Sequence, residues 1–108
     1  MEKFNSDTAL RHAQSLPSWK LDAAAGTIDR EFVFADFVQA FSFMTEVALA
    51  AEKHKHHPEW SNVYRTVNIR FTTHDAGGLT SLDFIMANLA EKAYGRFAPQ
   101  PGREATQP

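Results

Sequence analysis

The sequence predicts an α+β fold of order α-β-β-α-β-β-α, a four-stranded antiparallel sheet with three helices packed on one face. Three observations predict it. Period-two alternation of apolar and polar residues comes in paired runs separated by short turns, the pattern of hairpins. Stretches of helical periodicity stand before, between and after those pairs, and hairpins followed by helices favour an antiparallel sheet over strict strand–helix alternation. The chain has 108 residues, 44% of them hydrophobic and nine of them Phe, which suits one domain with one packed core.

In chain order, Ser6 or Asp7 is placed to cap a first short helix, with Leu10, Ala13 and Leu16 near one face and Pro17 ending it. Trp19 to Leu21 reads as a strand, followed by a turn around Gly26. The next strand, Thr27 to Phe34, puts Ile28, Phe32 and Phe34 on one face and Asp29 and Glu31 on the other. Asp36 caps the longest helix, whose stripe Phe37, Phe41, Met44 and Ala48 is suited to packing on a sheet. Val38, Phe43 and Leu49 fall off that stripe and point to a second partner for the helix. Pro58 disfavours helical geometry at His57, so the helix is expected to end about there. From Trp60 to His74 the chain is strand-like, with Val63, Val67, Ile69 and Phe71 sharing one parity and a break near Arg65 and Thr66. Gly77 and Gly78 form a loop. Thr80 or Ser81 caps a last helix through Phe84, Ala87, Leu89 and Tyr94. Residues 1–96 form the expected domain, and the Pro- and Gly-containing tail 97–108 is expected to be disordered.

Composition removes several function classes. The net charge of −2 lacks the basic footprint of autonomous nucleic-acid binding. With no Cys there is no thiolate nucleophile, no disulfide and no Cys-type zinc site, and a reducing compartment is allowed. No signal peptide is seen, and no apolar run approaches the ~20 residues of a membrane helix. A cytoplasmic location and no membrane association are expected.

The chemistry-bearing stretch is Glu52-Lys53-His54-Lys55-His56-His57-Pro58, which holds three of the five histidines, with Tyr64, His74 and Asp83 further on. Histidine gives or takes a proton near neutral pH, so histidines closing a helix and another ending a strand point to acid–base work in a shared cleft. Glu52 and His56 are spaced to share a helical face. The carboxylate then holds the imidazole in one tautomer, or the two form a surface ion pair at the helix end, and the spacing leaves both open. His57 and His74 can each also be simple polar ends of their elements. Tyr64 fits either a strand aromatic or a wall for a flat ring. Asp83 lies three residues after Thr80, as in a capping box. His54 and His12 read as solvated and idle. A zinc site from His54, His56, His57 and His74 is disfavoured, because His54 and His56 do not face each other on a helix and no HExxH pattern is present.

Glu52, His56, His57, Pro58, Tyr64, His74 and Asp83, at these spacings, resemble the motif of the pterin-4a-carbinolamine dehydratase family. The likeness takes in Leu16-Pro17-Ser18-Trp19, Arg30-Glu31-Phe32, Phe43-Met44-Thr45, the run from His56 to Tyr64 and the run from Thr73 to Leu79, most of the chain between Leu10 and Ala93. The resemblance implies the same α+β fold and a hydro-lyase. Its substrate is a 4a-hydroxytetrahydropterin, released when aromatic amino acid hydroxylases use their pterin. Loss of water yields a quinonoid dihydropterin for recycling. It implies His56 and His74 as proton donors on either side of carbon 4a and His57 as pterin ligand or base. Glu52 and Asp83 are implied as supporting residues, and Tyr64, Pro58, Trp60 and Thr73 as substrate contacts. No metal or other cofactor is implied, the pterin being substrate. The implied assembly is a homodimer or homotetramer using the long helix. Two alternatives stand beside this: a dimerisation or assembly cofactor that binds a partner protein through that helix, and a hydrolase with a histidine metal site.

Overall fold

A computed structural model describes residues 2–97, so the expected disordered tail lies, from residue 98 onward, outside the described residues. Helix α1 spans Ser6–Ala13, strands β1 and β2 span Lys20–Asp22 and Thr27–Val33, and helix α2 spans Phe37–His54. Strands β3 and β4 span Glu59–Val63 and Thr66–Phe71. A single 3-10 turn follows at His74–Ala76, and helix α3 spans Ser81–Gly95. The predicted order is therefore the observed one. The sheet is antiparallel throughout, with strand order β1-β2-β4-β3.

The first cap differs from expectation. Asn5, rather than Ser6 or Asp7, holds α1, its side-chain oxygen accepting from the Thr8 amide at 2.8 Å. Asn caps as well as Ser or Asp, and it stands one residue earlier, in extended backbone. Asp36 caps α2 as expected, through the Gln39 amide at 2.8 Å.

The register fixes the two faces of the sheet. Ile28↔Phe71, Arg30↔Ile69 and Phe32↔Val67 pair on the inner face, where Ile28, Phe32, Val67, Ile69 and Phe71 are buried beneath the helices. Asp29↔Arg70, Glu31↔Asn68 and Glu59↔Arg70 pair on the outer face. Val63 does not share the face of Val67. The β3–β4 turn has two residues, Tyr64 and Arg65, so Val63 pairs with Thr66 on the exposed outer face.

The core stripe of α2 also differs. Ala40, Phe43, Val47 and Ala51 face inward, while Phe37 and Phe41 are 47% and 57% exposed. Phe43, expected off the stripe, sits with its ring centroid 4.7 Å from that of Phe32 and 5.0 Å from that of Phe34. The reason is size. Two of the four buried positions, Ala40 and Ala51, are small, and the buried face of α3 likewise carries Ala87, Ala90 and Ala93. A reading weighted towards bulky apolar residues passes over such a stripe. Val38 and Leu49 are exposed, as residues off the stripe should be.

Candidate active site

The end of α2 positions the first two histidines. The helix stops at His54, and Lys55 takes the left-handed conformation with φ 54°. The His56 amide then donates back to the Ala51 carbonyl at 3.0 Å, the reversed bond that closes a Schellman-type helix end. His56 and His57 thus lie beyond the helix. The expected Glu52–His56 pairing on a helical face is not formed, because the left-handed residue swings the chain round. It is His57 that returns to Glu52, with Nε2 2.6 Å from Oε2.

His56 turns inward instead. It is 9% exposed, and its Nε2 lies 2.5 Å from Oδ1 of the fully buried Asp83. The other oxygen of Asp83 accepts from the Thr80 amide at 2.9 Å and from the Thr73 hydroxyl at 2.8 Å. Thr80 caps α3, and Thr80 and Asp83 form a capping box. Asp83 therefore forms the capping box expected of it and also holds His56, a partner that the spacing did not indicate. Since Thr73 Oγ1 gives its one proton to Asp83, the 2.9 Å bond between the two threonine hydroxyls is donated by Thr80.

His74 opens the 3-10 turn. Thr73 just before it pairs with Gly78 across the loop, so the turn is closed by backbone bonds of 3.1 and 3.2 Å. The loop packs directly on the β1–β2 turn. Gly26 has φ 73°, and a Cβ there would stand 2.7 Å from the Cα of Gly78, so only glycine fits. Thr72 Oγ1 adds a 2.6 Å bond to the Gly26 carbonyl. His74 Nε2 lies 2.6 Å from Oε2 of Glu59, the first residue of β3.

All three histidines thus share one arrangement: Nε2 is held by a carboxylate. An ionised carboxylate only accepts hydrogen bonds, so Nε2 carries the hydrogen and Nδ1 is left for proton exchange. The surroundings differ. The side chains of His57 and His74 are 62% and 78% exposed, whereas that of His56 is 10% exposed. The segments carrying the three rings are joined twice, by the His56–Asp83–Thr73 chain and by the His74–Glu59 bond.

A cavity of about 250 Å³ lies beside His74, lined also by Ala25, Thr27, Glu59, Arg70, Thr72, Gly77 and Gly78. A shallower one of about 420 Å³ adjoins it, sharing Glu59 and Arg70 and bringing in Trp60. Trp60 is half-buried on β3. Arg70 is bound by both Asp29 oxygens at 2.7 and 3.1 Å, and this bonding, with a smaller contribution from Glu59, raises its pKa above the usual value. Pro58 is half-buried between His57 and Glu59.

Tyr64 is not brought to the histidines. It occupies the β3–β4 turn with φ 52°, at the far end of β3 from Glu59, roughly 16 Å away at ~3.3 Å per residue. Thr73 lies beside the site, but its hydroxyl is bonded to Asp83 and Thr80. Glu59 is the residue that sequence reasoning missed. Its place outside the helix removed the spacing cue, and only the Glu59↔Arg70 register brings it under His74. His12, expected to be idle, packs against the rings of both Phe4 and Phe84, which also stack on each other, with Nδ1 2.9 Å from the Thr8 carbonyl. Among the described residues, no group of three or more His, Cys, Asp or Glu is arranged to hold a metal ion, and no helix is long and apolar enough to cross a membrane.

Comparison with known proteins identifies the family. The family model for pterin 4 alpha carbinolamine dehydratase matches residues 2–93. The chain belongs to that family. A protein of Rhizobium leguminosarum bv. trifolii, provisionally named a pterin-4-alpha-carbinolamine dehydratase, is 51% identical over 96 residues, covering 89% of this chain and 95% of its own. One from Rhizorhabdus wittichii, named in the same provisional way, is 57% identical over 77 residues, 71% of this chain and 79% of its own. A crystal structure from Brucella melitensis, described as a transcriptional coactivator/pterin dehydratase, superposes with a TM-score of 0.84 at 36% identity. It covers 87% of this chain and 100% of that one. The three helices and four-stranded antiparallel sheet are the family's fold.

Proposed function

We propose that this chain is a hydro-lyase that removes water from a 4a-hydroxytetrahydropterin to give the quinonoid dihydropterin, so returning spent pterin of aromatic amino acid hydroxylases to a recyclable form. The observation that carries this reading is the set of three carboxylate-held imidazoles in a chain of this family. The C4a–O bond breaks more readily when the departing hydroxyl takes a proton. The neighbouring ring nitrogen loses its proton, and the electrons of that N–H bond form the new double bond to C4a. The proton taken from nitrogen replaces the one the donor gave, so the substrate loses one hydroxyl and one proton, together one water. Imidazole is the side chain suited to give and take protons near neutral pH, so this step asks for no metal or redox cofactor.

In this reading His56 and His74 give protons on either side of carbon 4a and His57 binds the pterin or acts as base. Asp83 holds His56 and Glu52 holds His57. Pro58 and Trp60 flank the ligand, Thr73 acts through Asp83, and Tyr64 has no contact with the pterin in its own chain. The test is stopped-flow dehydration of a synthetic carbinolamine. His56→Ala, His57→Ala and His74→Ala should each lose roughly 10²–10⁴-fold in rate. The double variant His56→Ala, His74→Ala should be slower than either single one. Near wild-type turnover in that double variant overturns the assignment.

A second reading has its own observation. Phe37, Val38, Phe41 and Leu49 leave an apolar band exposed along α2, and such bands mark interfaces. The Brucella protein's description as a coactivator is consistent with a protein partner. This band is proposed to join subunits into a homodimer or homotetramer, and a further protein partner could use the same helix.

A further inference from the structure

We propose that Glu59 is a positioning residue for His74, holding its ring so that Nδ1 is the proton-exchanging atom; this assignment rests on the dehydratase reading above. Three observations carry it. First, Glu59 Oε2 and His74 Nε2 are 2.6 Å apart although they come from different elements, the start of β3 and the 3-10 turn. Second, Glu59 stays available for that contact. Its cross-strand neighbour on the outer face is Arg70, the natural partner for a carboxylate. Arg70 instead gives Nε and Nη2 to Asp29, at 2.7 and 3.1 Å, on the other side of β4. Glu59 is thus left for the imidazole, with a cation still beside it. Third, Glu59 and His74 line the same cavity of about 250 Å³.

A purely structural role does not account for the pair. The side chains of His74 and Glu59 are 78% and 50% exposed, and exposed ion pairs add little to stability. In orienting a functional imidazole, however, a carboxylate on the far nitrogen fixes both tautomer and ring plane, and at metal-bound imidazoles loss of such a partner commonly lowers activity by about 10–100-fold, the scale expected here.

The experiment is a cycle of Glu59→Ala, Glu59→Gln, His74→Ala and the double variant Glu59→Ala, His74→Ala. Glu59→Ala should lower kcat about 10–100-fold with little change in KM or in unfolding midpoint. Glu59→Gln, which keeps an acceptor oxygen, should recover part of that loss. Glu59→Ala should have no further effect once His74 is gone, because Glu59 acts through it. Additive losses in the cycle overturn the proposal. A readout independent of turnover separates its failure from failure of the dehydratase reading: the ring ¹⁵N shifts of His74. These should report a hydrogen-bonded Nε2–H in the wild-type protein and move to free-imidazole values in Glu59→Ala. Shifts unchanged by Glu59→Ala overturn the positioning role, whatever the substrate.

Discussion

At the scale of single residues, Glu52 and Asp83 separate two uses of a carboxylate. Both hold a histidine through Nε2, but Glu52 does so in solvent and Asp83 in the core. Glu52→Gln should leave the unfolding midpoint unchanged and retain substantial dehydration activity with an altered pH profile; loss as complete as that of a histidine variant would contradict a supporting role. Asp83→Ala removes the partner of His56, of the Thr73 hydroxyl and of the Thr80 amide together. Breaking a buried pair costs about 3–5 kcal/mol, and urea unfolding should read a loss of that size. A change below ~1 kcal/mol would show that these bonds are not made in solution. The sequence named every histidine that carries a carboxylate on Nε2, and it placed Asp83 correctly as cap. It paired Glu52 with the wrong ring, because helical spacing says nothing of a left-handed residue at Lys55. Glu59 escaped altogether, since cross-strand register is not written in local spacing.

At the scale of elements, two positions among the described residues carry positive φ without being glycine, Lys55 and Tyr64. A left-handed L-residue is disfavoured by roughly 1–2 kcal/mol, partly returned as unfolded-state entropy when glycine replaces it. Lys55→Gly should therefore raise stability by about 0.5–1 kcal/mol, read from the thermal midpoint, and Lys55→Val should lower it. The order of elements was legible because turns, caps and alternation all agree along this chain. The inward face of α2 was not, because two of its four buried positions are alanines, Ala40 and Ala51, which mark a stripe weakly beside the bulky exposed Phe37 and Phe41. The outward face follows from the same exchange: Phe37 and Phe41 are large, apolar and exposed. Light scattering at micromolar concentration should give a dimer or tetramer, and Phe41→Asp with Leu49→Glu should shift it towards the 12.1 kDa monomer. A monomeric wild-type protein would remove the subunit interface from the reading.

For the whole molecule, the helices cover one face of the sheet and leave the other to polar side chains such as Asp29, Glu31, Asn68 and Arg70. The cavities beside His74 and Trp60 reach onto that uncovered face, at the end where β2, β3, β4 and the His74 loop meet. The proposed chemistry needs only proton transfer, so elemental analysis of the pure protein should find no stoichiometric zinc, and chelator should leave turnover unchanged. Activity lost to chelator and restored by a metal would favour the hydrolase alternative. Asp83, buried between α3 and His56, has a further consequence for how such a chain can change over generations. The exposed imidazoles His57 and His74 support no core contact, so a duplicated copy released from catalysis could drift at those positions while still folding. Asp83 has no such freedom, because the aspartate that holds the His56 ring also starts a helix. A descendant that kept only a binding role would be expected to retain the aspartate long after its surface histidines had gone.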